Sequence, residues 1–384
     1  MKRHAIEIVV AGGGTAGHVE PALALAEALV ASGRRREAIR FVGTRRGVEA
    51  SLVRPAGFLV TELPGRGILR KPSVRNLAAL TGLFVALVLA VVLVRVWRPQ
   101  VVVSVGGYGA LAFALAAALW RVPVVVVNVD AVPGAANRLI ARFAKASAVA
   151  HERTGLPREQ VTGAPVRNEV ISAARLSGDP KETKRAIDVD ASRTLLLVVG
   201  GSLGARRLND LGLALAQRLA DRGDLAIYHV CGERDFLECS RRAQAMHLDS
   251  VALAYRLVAY ETRLPAVLAA ADLAISRAGA STVAEVAVIG TPAIFVPLPG
   301  APSDHQRKNA RRLAENGGAV IVEDAKATIE EMWELVVGLL KDDGRREDMR
   351  ERCRALGRPD AAARVAELVN SAARDADVGP QRAS

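Results

Sequence analysis

The sequence predicts an α/β protein of two doubly wound lobes, on three observations. Short β-branched runs alternate with Ala/Leu-rich stretches of helical length, the pattern of parallel strands joined by crossover helices. The alternation restarts once, at Thr194. The 384 residues, at roughly 150 per domain, suffice for two cores that need no covalent staples.

In the first lobe, strands are expected at Ile6–Ala11, Arg40–Gly43, Val101–Val105 and Val124–Val129, with a helix over Pro21–Ser32 closed by Gly33. The second lobe opens at Thr194–Val199 and continues through Ala226–Val230, Ala252–Leu257, Leu273–Ser276, Ala293–Val296 and Ala319–Val322. Between the lobes, Ala173–Arg193 is polar and contains a proline, and reads as surface structure near a domain junction. Pro297–Asn309 reads as a loop, and Ala361–Ala373 as a last helix.

A hydrophobic content of 51% with 33 glycines excludes a disordered tail, a collagenous repeat and a small disulfide scaffold. Cys231, Cys239 and Cys353 show no CxxC spacing, so neither a disulfide framework nor a zinc site is expected, and a reducing compartment fits. The 52 Lys and Arg against 40 Asp and Glu give a net charge of +12, which favours an anionic partner. An aromatic content of 4%, with no basic segment interleaved by aromatics, argues against nucleic acid. The opening MKRHAIEIVV runs into glycines rather than a long apolar stretch and a cleavage site, so no secretory signal is expected. Leu77–Val94 carries no charge and follows a basic stretch, Gly65–Arg75. It is expected as a buried helix, or as one whose outer face meets the lipid interface, because a span there would divide one Rossmann-like unit across a bilayer.

Three glycine loops carry the chemistry. Gly12-Gly13-Gly14-Thr15-Ala16-Gly17-His18 follows the first strand, Gly106-Gly107-Tyr108-Gly109 follows the strand at Val101, and Gly200-Gly201-Ser202-Leu203-Gly204-Ala205 follows the strand at Thr194. Glycines let backbone amides approach a phosphate closely, and a following helix adds partial positive charge. The first loop satisfies GxGxxG, but Gly43-Thr44-Arg45-Arg46 at the end of the second strand lacks the carboxylate that holds an adenine ribose. Arg45 and Arg46 leave an NADP-dependent enzyme as an alternative. Further on, Glu285 either returns to the backbone in a capping box with Thr282 or accepts both hydroxyls of a ribose, with Gly279 leaving room for a phosphate. Asp304, His305, Gln306 and Asn309 offer donors and acceptors suited to a sugar ring. Asp188-Val189-Asp190 has a metal-binding spacing but stands ahead of a strand in the junction, and reads as solvated.

The set and order of these motifs resemble the MurG family of N-acetylglucosamine transferases. The segments are GGGTAGHVEPALALAEAL, VVSVGGYGALAFALAAAL, GAPVRNEV, LLVVGGSLGARRLND, SRAGASTVAEVAVIGTPAIFVPLP and SDHQRKNARRLAENGGAVIV, nearly the whole chain. The resemblance implies a GT-B fold, two Rossmann-like domains facing a central cleft. Residues 1–166 would form the acceptor and membrane-associated domain, 167–357 the UDP-GlcNAc domain, and a helix near 358–373 would pack back on the first. It implies Thr15, Gly17, Arg167, Ser202, Gly204, Gly279, Glu285, His305 and Gln306 on the donor, and backbone near Tyr260–Leu264 on uracil. Gly13, Gly14, Gly106, Gly107, Tyr108 and Asn137 would meet the acceptor. The family carries a His-Glu-Gln-Asn run where this chain has Val127-Asn128-Val129-Asp130, so roles of that run do not transfer.

The implied reaction is an inverting attack of the muramyl 4-hydroxyl of lipid I on UDP-GlcNAc, forming lipid II in peptidoglycan synthesis. It needs a base, for which His18 is expected because an unperturbed imidazole titrates near ~6.5, with Asp130 as the alternative. Helix-terminal amides would stabilise the leaving diphosphate, so no metal or other cofactor is expected. Arg66, Arg70, Lys71 and Arg75 beside Leu77–Val94 would dock a peripheral enzyme on the cytoplasmic leaflet. Another GT-B UDP-sugar transferase, a UDP-sugar epimerase and a catalytically silent sugar-nucleotide sensor are the alternatives.

Overall fold

A computed structural model describes residues 5–12, 16–44, 49–64, 74–201 and 204–377. The chain divides into two compact units, residues 1–167 with 359–384, and residues 168–358.

The first unit runs β1 Ile8–Ala11, α1 Ala16–Ala31, β2 Ile39–Thr44, α2 Glu49–Val53, β3 Leu59–Leu63, α3 Val74–Trp97, β4 Val101–Ser104, α4 Tyr108–Leu119, β5 Val124–Asn128, α5 Ala135–Ala141, β6 Ala146–Val149 and β7 Glu159–Val161. The second runs α6 Asn168–Leu176, α7 Pro180–Ala186, β8 Thr194–Val199, α8 Arg206–Arg218, β9 Leu225–Val230, α9 Phe236–Ala245, β10 Ala254–Val258, α10 Leu264–Ala270, β11 Leu273–Ser276, α11 Ala280–Ile289, β12 Ala293–Phe295, α12 His305–Glu315, β13 Ala319–Ile321, α13 Ile329–Lys341 and α14 Asp343–Leu356. The last helix, α15 Ala361–Asp377, returns to the first unit and packs on α1, where Asn370 accepts from the Arg34 guanidinium at 2.9 Å and donates to Ser32 Oγ at 3.0 Å.

Both sheets are wholly parallel, in the orders β3-β2-β1-β4-β5-β6-β7 and β10-β9-β8-β11-β12-β13. Central strands such as β4 (VVVS) and β5 (VVVVN) are buried on both faces, which is why they read as unbroken β-branched runs. Strand order reverses direction at β1/β4 and at β8/β11, and in open α/β sheets ligands bind outside the carboxyl ends of strands at that switch point. The register pairs Ala11 with Ser104 and Val199 with Ser276, so at each switch point two strands end level and their turns emerge side by side.

Three strands, β3, β6 and β7, carry too little signal to be read beforehand. β3 (LVTEL) and β7 (EQV) are sheet edges with polar residues, and β6 (ASAV) is small-residue and short. The segment Pro297–Asn309 is not a loop throughout, because α12 begins at His305. Its inward residues Asn309, Ala310 and Leu313 lie at or beyond the end of that stretch, so no apolar period is visible within it.

Helix α3 is apolar all round. Ala86, Ala90 and Val94 are buried where it lies along the Ala-rich α4, while Phe84, Val88, Val92 and Val96 stay exposed. Among the described residues no helix is long and apolar enough to cross a membrane. Phe113 of α4 is fully buried in this core, 5.8 Å from the Trp97 ring centroid. Phe113→Ala is expected to destabilise the protein by about 3–5 kcal/mol through lost transfer energy and a residual cavity, as measured by denaturant unfolding.

Candidate functional site

In the first unit, the site is built where the turn after β1 meets the turn after β4. Gly12 has φ +144°, and a Cβ there would stand 2.4 Å from Val105 Cγ2 and 2.6 Å from the Gly106 carbonyl oxygen. No side chain fits between the two backbones. Gly106 and Gly107 also have positive φ, +97° and +84°, and Gly107 leads into α4, whose first residue is Tyr108. A Cβ on Gly106 would meet His18 Nε2 at 3.5 Å and Asn137 Oδ1 at 3.4 Å. The structure therefore gathers His18, from the first turn of α1, with Gly106 and Asn137, from α5. Gly17 is exposed on the same first turn. Gly13, Gly14 and Thr15, expected on the substrates, lie outside the described residues, as do Arg45, Arg46, Arg66, Arg70 and Lys71.

Arg167, expected near the donor, belongs to the first unit, where its Nη2 lies 3.9 Å from Glu20 Oε1 of α1. Burial pushes the Glu20 carboxyl above the usual carboxylate range, and the Arg167 charge opposes that shift.

In the second unit, the turn after β8 is equally tight. A Cβ on Gly200 would lie 2.5 Å from Ala205 N, and one on Gly204 (φ +73°) would lie 2.3 Å from the Cys231 carbonyl oxygen. Gly204 N–H donates to the Gly201 oxygen at 2.9 Å, and the chain then enters α8. Ser202 lies outside the described residues.

Behind this turn runs a buried hydrogen-bond chain that sequence reading missed. Asn209 Nδ2 donates to the Cys231 carbonyl at 3.0 Å and to Asp235 Oδ2 at 3.2 Å. A carbonyl only accepts, so Asn209 presents Oδ1 to His229 Nε2, 3.2 Å away. Nε2 must then carry the proton, leaving Nδ1 to accept from the Tyr255 hydroxyl at 2.8 Å. Asp235 Oδ2 in turn stands 3.3 Å from where a Gly204 Cβ would be, so β9, β10 and α8 jointly set the turn. The available signal was a histidine inside the otherwise apolar strand LAIYHV.

On the other side of this switch point, Gly279 is the residue before α11, at an extended φ of −63°. The nearest atom to a Cβ there would be Thr282 Oγ1 at 3.8 Å, so the turn faces open space. Thr282 lies inside α11 rather than at its cap, and Gly279 makes no side-chain cap bond, so the capping-box alternative is not formed. Glu285 is 6% exposed, one turn into the helix. Arg277, also unremarked in the sequence, is half-buried and ties the β11 turn to the next one, donating to the Val296 and Pro297 carbonyls and to Asp324. His305 opens α12, and Gln306 Oε1 accepts from Leu298 N at 2.9 Å, closing the preceding turn. Asn309, expected to face a sugar, is buried and donates to the Ala278 carbonyl at 3.3 Å. Beyond β10, the Glu261 carboxylate accepts from the Tyr228 hydroxyl and from Arg263 N, fixing the Tyr260–Leu264 turn. Asp188 pairs with Arg263 at 3.9 Å, and Asp190 accepts from Ser192 N at 2.9 Å, so both junction aspartates have local partners.

Two Rossmann-like units, each with glycine-only turns at its switch point and a buried carboxylate on the helix after β11, define the GT-B class of nucleotide-sugar glycosyltransferases. The chain belongs to glycosyltransferase family 28: the family's N-terminal domain matches residues 8–149 and its C-terminal domain residues 195–365. It is 39% identical over 385 residues to the UDP-N-acetylglucosamine--N-acetylmuramyl-(pentapeptide) pyrophosphoryl-undecaprenol N-acetylglucosamine transferase of Mycobacterium sp. (strain JLS), covering 97% of this chain and 98% of that one. The enzyme of the same name from Acidothermus cellulolyticus is 38% identical over 371 residues, 96% and 98% of the two chains. The crystal structure of Acinetobacter baumannii MurG superposes with a TM-score of 0.71 at 30% identity, covering 95% of this chain and 99% of the other.

Burial lowers the His229 pKa from 6.5 to about 4, so the folded protein binds fewer protons than the unfolded chain between those values. This contribution is complete above pH ~6.5 and is lost as pH falls toward ~4, about 3 kcal/mol in all. Denaturation midpoints measured across that window are expected to fall with pH in the native protein and to fall less in His229→Gln.

Proposed function

We propose that this enzyme transfers N-acetylglucosamine from UDP-N-acetylglucosamine to the 4-hydroxyl of the muramyl unit of lipid I, with inversion, forming lipid II. The observation that carries this reading is full-length similarity, at 39% identity, to a transferase whose name states both donor and acceptor. The site supports it in detail. Glu285, buried one turn into α11, is positioned as the ribose acceptor, and the open approach to Gly279 admits a phosphate. The first backbone N–H groups of α8, and the positive end of its dipole, are offered to the diphosphate. Those fixed dipoles take up charge developing on the leaving UDP, and the reaction proceeds without a metal or other cofactor.

His18, over Gly106, takes the proton of the attacking hydroxyl. The family's His-Glu-Gln-Asn run is replaced by Val127-Asn128-Val129-Asp130, in which Val127 and Asn128 are buried, so that run supplies no base at those two positions. The same replacement favours, as a second reading, a different lipid or small-molecule acceptor with the same donor.

A transfer assay with UDP-N-acetylglucosamine and a lipid I analogue tests these roles. His18→Ala is expected to lower kcat by about 10²–10⁴-fold with donor affinity kept. Glu285→Ala is expected to raise the donor KM at least tenfold, because the ribose loses a charge-assisted acceptor. Native protein that hydrolyses or transfers the sugar only to other acceptors selects the second reading, and full turnover by His18→Ala removes the base assignment.

The enzyme docks on an anionic membrane surface at the cytoplasmic face through α3. Phe84 is 67% exposed and Val96 63%, an unpartnered apolar face beside Trp120, whose ring lies 5.5 Å from the Arg95 guanidinium. The surplus of basic residues adds attraction to anionic lipid. The double variant Phe84→Asp/Val92→Asp is expected to bind anionic vesicles at least tenfold more weakly in co-sedimentation, by loss of apolar burial and added repulsion.

A further inference from the structure

Asn128, the last residue of β5, is 3% exposed and stands where the resembled family has an acidic residue. Its Nδ2 donates to the Asp130 backbone carbonyl at 2.7 Å. Because that carbonyl can only accept, the contact fixes which end of the Asn128 amide is NH2. Its Oδ1 is thereby turned to Asn137, whose Nδ2 donates to it at 3.1 Å.

This second contact fixes the Asn137 amide in the same way. Asn137 Oδ1 must face the other direction, toward the space over the Gly106 Cα, which His18 Nε2 also faces. Asn137 is 6% exposed, and among the described residues no donor reaches Oδ1. A buried carbonyl oxygen without a donor is destabilising, and a ligand that brings an O–H or N–H removes that cost. The oxygen cannot donate, so it repels a phosphate or carboxylate oxygen in the same place.

We propose that the space over Gly106 receives a neutral O–H or N–H donor of the acceptor sugar, that Asn137 Oδ1 accepts from it, and that Asn128 is the positioning residue that aims this oxygen. The inference rests on the acceptor assignment of the first unit made above. The donor group is one next to the reacting hydroxyl, whose own proton goes to His18. The acceptor diphosphate lies elsewhere in the unit.

The test measures binding separately from turnover, using a muramyl-diphosphoryl acceptor analogue and versions of it lacking single O–H or N–H groups. Asn137→Leu and Asn128→Leu are each expected to weaken binding of the full analogue about tenfold, the worth of one hydrogen bond, with UDP affinity unchanged as the folding control. Asn128→Asp keeps an oxygen for Asn137 to donate to and is expected to lose less than Asn128→Leu. One deleted group should cost native protein about tenfold and cost Asn137→Leu nothing further, a coupling that a merely structural asparagine does not produce. If both leucine variants bind every analogue as native protein does, or if no deletion is coupled to Asn137, the proposal is overturned while the transfer reaction stands. Coupled binding without sugar transfer overturns the reaction assigned above and leaves the proposal standing, and no binding of any analogue overturns both.

Discussion

The close approach of neighbouring chain segments at the glycine turns after β1 and β8 is the constraint on which the remainder depends. At Gly12 and at Gly204 a single methyl group would stand 2.4 Å and 2.3 Å from a neighbouring atom, well inside van der Waals contact. Parallel pairing makes β1 end level with β4, so the turns that leave them compete for the same space, whereas the turn after β8 is pressed against the Cys231 carbonyl that follows β9. Glycine resolves the competition by leaving only N–H, Cα and C=O in the turn. Gly12 and Gly204 thereby bring backbone dipoles rather than side chains to these approaches, as the proposed binding of a diphosphate requires.

Much of this was readable in the sequence because it is carried by local signals. Unbroken runs such as Val101–Ser104 mark doubly covered strands, and glycine clusters directly after them mark the turns. The unread parts are those where position, not composition, decides. Thr282 followed by Glu285 fits a capping box, yet the helix starts two residues before Thr282, and the buried Glu285 falls one turn further in than a cap partner would. Likewise Asn309 has the donor and acceptor of a sugar ligand, but it is buried and its contact with Ala278 holds a turn in place. The Asn209–His229–Tyr255 chain joins residues from α8, β9 and β10, and no spacing rule connects them.

The two units solve the support of their glycine turns differently. In the second, a relay of buried polar groups ends on Asp235, whose neighbours Arg234 and Arg206 hold its carboxyl below the usual range and therefore ionised. A permanent negative charge behind this turn would oppose the proposed diphosphate binding unless it is already neutralised, and the flanking arginines supply that neutralisation. In the first unit the corresponding support is neutral, an Asn128–Asn137 pair with no ionisable member.

That difference agrees with the ligands proposed for the two turns. In the proposed reaction a leaving UDP gains negative charge as the glycosidic bond breaks, and a turn that receives it benefits from cations and helix-end amides nearby. An attacking alcohol is neutral until its proton departs, and a base works on it best where no competing charge draws that proton or perturbs the imidazole. In Val127-Asn128-Val129-Asp130 the end of β5 supplies the amide geometry that Asn137 requires, and Asp130 is the one ionisable side chain of the stretch. His18 is the one imidazole that the described geometry brings against the Gly106 turn, which is the placement that the proposed proton transfer requires.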